Sequence, residues 1–320
     1  MMRYAIGVDV GGTNIVCGLV AGDGSIVAQR KYPTAVHEGP QAILVKIGKS
    51  IEQLIEEAGI PGEQCIAVGM GIPGLVDPVQ GVSMRAVNLN WRDIPVAARL
   101  SELIGKPVYI DNDVRMYVYG EAVAGAGRGY DYVYGVTIGT GLASAFVQNG
   151  SLYYGHRYIS GEIGHVPVEH VDFPCNCGRI GCLETIVSAT GIARQARDRI
   201  AKGEASLLQE WFPDPKDISA SAVSQASNAG DALAQDVLAQ TGRTFAKALA
   251  WAVPLLSPDA IVIGGGGALA GEALFAPIRQ ELDRLLLQDY IGQFVIKPAE
   301  LNDHAGIIGS ALWALNRNNV

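Results

Sequence analysis

YAIGVDVGGTNIVCGLVAGDG, residues 4–24, is the stretch from which the fold is read. Its apolar start, residues 4–10, reads as a buried strand, and Gly11-Gly12-Thr13 turns the chain. A second strand, residues 14–20, runs back to a hairpin turn at Asp23-Gly24. Asp9 is therefore expected at a strand end, beside a glycine turn. Backbone N–H groups in such a turn can hold a phosphate, and a carboxylate there can hold Mg²⁺ or its water. An ordinary hairpin with a buried, turn-capping Asp has the same local sequence. The pattern recurs at residues 133–150, VYGVTIGTGLASAFVQNG. Gly7 corresponds to Gly135, Gly11 to Gly139 and Gly22 to Gly150, a constant offset of 128 positions. Thr137 takes the place of Asp9, and Thr140 falls in the turn. A unit repeated at this distance predicts two similar lobes. Two such turns, facing each other, would clamp one polyphosphate from both sides.

Length and composition agree with this reading. A chain of 320 residues suffices for two ordinary domains. At 49% hydrophobic and 18% charged it has ample core material. A net charge of −8 without basic runs argues against a nucleic-acid surface or a membrane patch. The start, MMRYAIGVDVGG, breaks into glycines too early for a signal peptide, and no apolar run approaches a membrane span. Five cysteines, three of them clustered, suit a reducing cytoplasm better than a disulfide framework.

That cluster lies in residues 161–184, GEIGHVPVEHVDFPCNCGRIGCLE. Cys175, Cys177 and Cys182 follow His165 and His170, and Glu162 and Glu184 bracket the segment. Three thiolates and one imidazole close a tetrahedral sphere, which predicts a structural Zn²⁺. Spacing does not say which histidine takes part. Reduced thiols in a plain loop, or a disulfide, are the alternatives; a Cys175–Cys177 bridge would strain a very small ring.

Between the repeats, residues 40–59 have a helical period, with Ile43, Ile47, Ile51, Leu54 and Ile55 on one face. Residues 71–81, GIPGLVDPVQG, read as a long glycine–proline loop. Asn88, in VNLNW, is either a sugar contact or a turn former. A strand ending at Asp111-Asn112-Asp113 opens a helix over residues 114–124, so Asn112 or Asp113 caps it and also faces a cleft. If a hydroxyl attacks phosphorus, Asp113 is the carboxylate chosen to take its proton. A weak base is enough, because the loose transition state releases that proton late. Downstream, helices are expected at residues 186–199, 207–211, 232–255, 271–287 and 302–315, with strands at 260–263 and 294–296. Gly264 to Gly267 follow the first of these strands and leave room for a flat base or sugar.

In order, DVGGT, NLNWRD, the DND strand exit, TIGTG, GEIGH, CNCGRIGCLE and IVIGGG resemble the ROK family of bacterial sugar kinases and sugar-responsive repressors. The resemblance spans essentially the whole chain, and CxCGxxGCxE after GExGH is its most specific part. It implies an α/β, actin-like and ribonuclease-H-like fold of two lobes. The small lobe is expected at residues 1–112, with a final helix, 303–320, packing back on it. The large lobe, 113–302, is expected to carry the zinc loop and the nucleotide site. The resemblance further implies sugar contacts at Asn112, Asp113, Glu162, His165 and Glu184, with Asp113 as catalytic base. Asp9, Gly11, Gly12 and Thr13 match the first phosphate loop; Thr137, Gly139, Thr140 and Gly141 match the second. Gly264, Gly265 and Gly266 match the nucleotide site. His165 is ranked over His170 as the zinc ligand, beside Cys175, Cys177 and Cys182. Its other ring nitrogen is then left for a sugar hydroxyl, so the metal fixes the imidazole's orientation.

Two departures stand out. The pattern NDAN becomes NDVR, with Arg115 in place of Asn, and Leu142-Ala143-Ser144-Ala145 replaces the usual glycines after TIGTG. The expected activity is that of an ATP- and Mg²⁺-dependent hexokinase acting on a 6-hydroxyl, glucose first. Fructose, mannose, allose and N-acetylmannosamine stay open. A repressor would need a DNA-reading winged helix before the first strand, which is expected to begin near Tyr4. A non-catalytic sensor could lack Asp113 or Asp9, and both are present. The family implies a homodimer or homotetramer.

Overall fold

A computed structural model describes residues 3–318; residues 1–2 and 319–320, the outer ends of the expected small lobe and final helix, lie outside the described residues. The chain divides into two compact units: Met1–Asp131, Ala145–Ser160 and Glu300–Val320 form the first, Tyr132–Ser144 and Gly161–Ala299 the second. The first begins with β1 (Tyr4–Val10), β2 (Asn14–Ala21), β3 (Ile26–Pro33), α1 (Gly39–Glu57) and β4 (Cys65–Ile72). It continues through β5 (Leu75–Asp77), β6 (Val82–Ala86), β7 (Trp91–Ile94), α2 (Val96–Ile104), β8 (Val108–Asn112) and α3 (Asp113–Ala124). Next come β9 (Tyr132–Ile138), β10 (Leu142–Gln148) and β11 (Ser151–Leu152). The second unit goes on with α4 (Glu184–Val187), α5 (Ala189–Ala201), α6 (Leu207–Trp211), α7 (Ala220–Asn228) and α8 (Ala232–Leu256). It closes with β12 (Ala260–Gly264), α9 (Glu272–Leu285) and β13 (Val295–Pro298), after which α10 (Ala305–Arg317) belongs again to the first unit.

The repeat read from the sequence is a repeat of sheet topology. One sheet has the order β3-β2-β1-β4-β8, the other β11-β10-β9-β12-β13. In each, the strand before the glycine turn is central. β1 is antiparallel to β2 and parallel to β4; β9 is parallel to β12, which is parallel to β13.

Strand alternation sorts the first unit into layers. Ile6, Val8 and Val10 of β1, with Val68, Met70 and Ile72 of β4, join Ile43, Leu44, Ile47, Ile51 and Leu54 of α1 in one core. Each such side chain contributes roughly 1.5–3 kcal/mol on full burial. The other face of β1 carries Ala5, Gly7 and Asp9, and α10 lies on it. Gly7 is in register with Gly69 of β4. A Cβ on Gly7 would stand 1.8 Å from the Ile307 carbonyl oxygen, and one on Gly69 1.8 Å from that of Ser310. The helix backbone therefore rests directly on the sheet.

Several elements differ from expectation. Within residues 71–81, Leu75–Asp77 is a strand, which pairs with β6 and, through it, β7 in a small antiparallel sheet. The helix expected at 186–199 breaks at Ser188, whose side chain caps α5 by accepting from Gly191 N. Helix α7 was not foreseen, since its apolar residues are mostly alanines. Helix α3, expected in the second lobe, packs against α10 within the first unit, and a Cβ on Gly309 would meet the Met116 carbonyl oxygen at 1.8 Å.

Glu121 of α3, 1% exposed, anchors the approach to α10. Its carboxylate accepts the backbone N–H groups of Ala126 at 3.0 Å, Glu300 at 3.0 Å, Leu301 at 2.8 Å and Asn302 at 3.2 Å. Glu121→Gln turns an amide NH₂ toward some of these donors. It should lower unfolding free energy by about 3 kcal/mol, read as a shift in the urea midpoint at unchanged slope.

Candidate functional site

In the first unit, Gly11 N donates to the Asn14 carbonyl at 2.9 Å to close the turn after β1. Thr34, fully buried after β3, donates from its hydroxyl to the Gly11 carbonyl at 2.6 Å, while its N–H donates to the Thr13 carbonyl at 2.9 Å. Nothing in the sequence singled out Thr34, because its role depends on the pairing of β2 with β3. A Cβ on Gly12 would lie 3.3 Å from that of Asn88, so the expected sugar-contact asparagine sits against the expected phosphate turn.

Asp9 ends the glycine face of β1. It is in register with Gly71, and a Cβ there would lie 3.2 Å from the Cα of Asp113. A Cβ on Gly306 of α10 would meet an Asp9 carboxylate oxygen at 2.8 Å. Burial, and then the nearby Asp113 and Asp303 carboxylates, push the Asp9 carboxyl up to about 7. Asp9, Gly11, Thr13, Lys31, Asp303 and His304 line a cavity of about 680 Å³. Lys31, Asp303 and His304 were missed, since no motif marks them and only the fold brings them to the turn.

Asn112 caps α3, its Oδ1 accepting from Arg115 N at 3.1 Å, while its Nδ2 donates to the Gly74 carbonyl at 3.0 Å. Asp113 is the first residue of α3, with one carboxylate oxygen accepting from Val114 N at 2.9 Å.

The second unit gathers the other expected residues. Gly139 N donates to the Gly141 carbonyl at 2.9 Å, closing the turn after β9, and Thr137 Oγ1 donates to the Ala143 carbonyl at 3.5 Å. The start of α5 is tied to this turn by Ala189 N to the Gly139 carbonyl at 2.8 Å and Thr190 Oγ1 to the Thr140 carbonyl at 3.0 Å. The glycines after β12 divide by role. Gly265, at φ 83°, and Gly267 are required by packing, because Cβ atoms there would meet Ile138 at 2.7 and 2.3 Å. Gly266 faces open space and Gly264 ends the strand.

The departure at Leu142-Ala143-Ser144-Ala145 starts β10 rather than a longer turn. Buried Ser144 donates from its hydroxyl to the Gly161 carbonyl at 3.0 Å and accepts from the Tyr134 hydroxyl at 2.9 Å. It thus supports the start of GEIGH.

The cysteine segment folds on itself. Cys175 N donates to the Arg179 carbonyl at 2.8 Å and Gly181 N to that of Phe173 at 2.9 Å. One ligand atom each from His165, Cys175, Cys177 and Cys182 lie within 4.8 Å of one another. Cys177 Sγ is 3.6 Å from Cys182 Sγ, and Cys175 Sγ is 3.8 Å from His165 Nδ1. Ligands at zinc bond lengths and tetrahedral angles stand roughly 3.3–3.8 Å apart. The donor set and spacing fit a structural zinc, and all five cysteines are free. His170 is not in the group. Burial and then Glu184 push the Cys175 thiol up to about 12; the Arg179 backbone and side chain hold Cys177 down to about 6. His165 Nδ1 is 3.8 Å from a Glu184 oxygen and its Nε2 3.7 Å from one of Glu162. Glu184 also reaches the second turn, where a Cβ on Gly141 would meet it at 2.9 Å.

The ROK family model matches residues 5–317. The chain belongs to the ROK family. It is 34% identical over 307 residues to a glucokinase of Thermotoga maritima, covering 96% of this chain and 95% of that one. It is 34% identical over 318 residues to a glucokinase of Halalkalibacterium halodurans, covering 99% and 96%. The crystal structure of a ROK family glucokinase from Streptomyces griseus, in complex with glucose and AMPPNP, matches at a TM-score of 0.83 and 30% identity, over 98% and 99% of the two chains. The fold of this ROK chain is accordingly the actin-like, ribonuclease-H-like α/β fold expected from its motifs.

The Asp9 carboxyl sets a pH dependence. Its folded value, about 7, lies above its ordinary value of 3.8, so the folded protein holds the proton longer. That contribution to stability is full below about pH 4 and is lost as pH rises through about 7. Asp9→Asn should therefore melt with wild type near pH 4 and be more stable at pH 8, by on the order of 1–2 kcal/mol after solvent screening. Thermal denaturation in metal-free buffer at both pH values checks this.

Proposed function

We propose that this ROK chain is an ATP-dependent hexokinase that transfers the γ-phosphoryl group to the 6-hydroxyl of a hexose, glucose foremost. One observation carries the reading. A carboxylate at the start of a helix, Asp113, stands beside Asp9 and the glycine turn, so a base and a phosphate cradle belong to one unit. In the proposed step the sugar O–H bond breaks and its proton passes to Asp113. The freed oxygen bonds the γ-phosphorus as the bond to the β-phosphate oxygen breaks. Gly11 and Gly139 close their turns with their own N–H groups; in the first unit the N–H groups of Gly12 and Thr13 would hold phosphate oxygens, and in the second those of Thr140 and Gly141 would do so, with Gly264 to Gly266 receiving the nucleotide. Asp9 suits Mg²⁺, since a cation offsets the cost of its ionised form between two other carboxylates. When bound, Mg²⁺ neutralises phosphate charge.

Asn88, Asn112, Glu162, His165 and Glu184 read the hexose in this scheme, the carboxylates through charge-assisted hydrogen bonds. The zinc is structural. His165 would hold it through Nδ1, on the Cys175 side, which would leave Nε2, on the Glu162 side, for a hydroxyl. Free cysteines fit residence in the cytoplasm, and no helix among the described residues is long and apolar enough to cross a membrane. A homodimer or homotetramer belongs to the same reading.

A coupled ADP-release assay with glucose, fructose, mannose, allose and N-acetylmannosamine tests the activity. Glucose should give the highest kcat/KM, and no turnover with any hexose would sink the proposal. Asp113→Asn should lose about 10²–10⁴-fold in kcat while still binding sugar. A nearly normal kcat would remove Asp113 from the mechanism. Metal analysis should find about one zinc per chain, lost in Cys175→Ser together with a raised hexose KM. Active wild-type protein without zinc would contradict the assignment.

A further inference from the structure

The buried group around Arg115 is used by none of the steps above. Arg115 is 5% exposed and Asp111 not at all, and Arg115 Nη1 donates to Asp111 Oδ1 at 3.0 Å. The other Asp111 oxygen accepts from the Tyr154 hydroxyl at 2.8 Å. The Arg115 guanidinium lies 5.3 Å from the centre of the Tyr154 ring, and its Nη2 donates to the carbonyl of Tyr158. Tyr154 and Tyr158 stack edge to face at 5.7 Å. The fork of one guanidinium thus joins the exit of β8 to the loop 154–158, which lysine could not do at both ends.

That loop is strained. Arg157 and Tyr158 have φ of 55° and 59°, left-handed values that non-glycine residues rarely adopt, and Gly155 has 63°. Such backbone persists only where surrounding bonds over-determine it. Ser160 supplies two of them, from its hydroxyl to the Tyr153 carbonyl at 2.8 Å and from its N–H to the Tyr154 carbonyl at 3.2 Å. Arg115, bonded to the Tyr158 carbonyl, and Asp111, bonded to the Tyr154 hydroxyl, supply bonds that reach outside the loop. The chain then runs directly into Gly161-Glu162 and on to His165. At its other end, Arg115 N is held by Asn112 Oδ1, and Asn112 N donates to Asp111 Oδ1 at 2.7 Å. Asn112 and Asp113 thus share one buried anchor with loop 154–158.

We infer that Arg115 is a positioning residue for hexose binding: it holds the strained loop 154–158 against the turn that presents Asn112 and Asp113. The inference rests on the hexokinase reading. It predicts a particular kinetic split, because Arg115 acts on where the sugar groups stand and not on the proton transfer. Arg115→Lys keeps the charge beside Asp111 and loses the fork to Tyr158. Its hexose KM should rise roughly tenfold, with kcat within about twofold and the KM for ATP unchanged. Limited proteolysis within residues 154–161 should quicken in the same variant. Tyr154→Phe, which removes one hydroxyl and keeps the ring, should raise hexose KM by a smaller factor in the same direction.

Hexose affinity measured by intrinsic tryptophan fluorescence gives a second reading that needs no turnover. Wild type that binds hexose without phosphorylating it defeats the kinase reading alone; the variants' weaker binding would still support the anchor. Folded variants with unchanged hexose affinity would overturn it. So would a loss of kcat at constant KM. If both variants fail to fold, Arg115 serves stability only and the inference falls.

Discussion

The first unit depends on a helix laid on a sheet with no side chain between them. Gly7 and Gly69 are neighbours on β1 and β4, and both face carbonyl groups of α10 at distances no Cβ could tolerate. The same economy recurs where Gly309 meets α3. This closeness brings Gly306 up to Asp9 and gives Asp113 its room beside Gly71. A carboxylate in so crowded a place is hard to ionise, and its carboxyl is accordingly pushed up to about 7. Packing and chemistry therefore share one cause: the sheet face that is bare for the helix is also the face on which the acidic groups gather.

Much of this was legible in the sequence because it rests on short-range pattern. The repeated strand–glycine–strand unit gave the two matching sheets, and the isoleucine period of α1 gave its buried face. What stayed hidden depends on partners distant in sequence. Gly7 reads locally as one more small residue in a strand; only Ile307, three hundred positions away, shows why it cannot be anything else. Strand β5 hides in a glycine–proline run because its partner, β6, supplies the pairing. Helix α7 buries mainly alanine, which carries little amphipathic signal.

The site divides in the same way. His165 and the three cysteines come together as their spacing suggests, and His170 is not in the group, a choice the spacing alone left open. In the sequence alone, the glycine run after β12 reads as room for a ligand. For Gly265 and Gly267 the nearer reason is Ile138, so only part of that run is spare. Arg115 and Ser144 were visible as departures from a pattern but not as supports. Their partners, Tyr158 and Gly161, lie in a loop with no regular period, where sequence says little about which carbonyl will be within reach.

The order in which the first unit is assembled follows from its three segments. Its sheet is encoded before the second unit, and the helix that covers the glycine face after it. While the chain is being made on a ribosome, β1 and β4 wait with that face uncovered until residues 300–317 have emerged. The second unit is by then encoded in full, since none of its residues lies beyond Ala299. In this molecule β1 and β4 thus reach their final surroundings only after the whole of the second unit has been made.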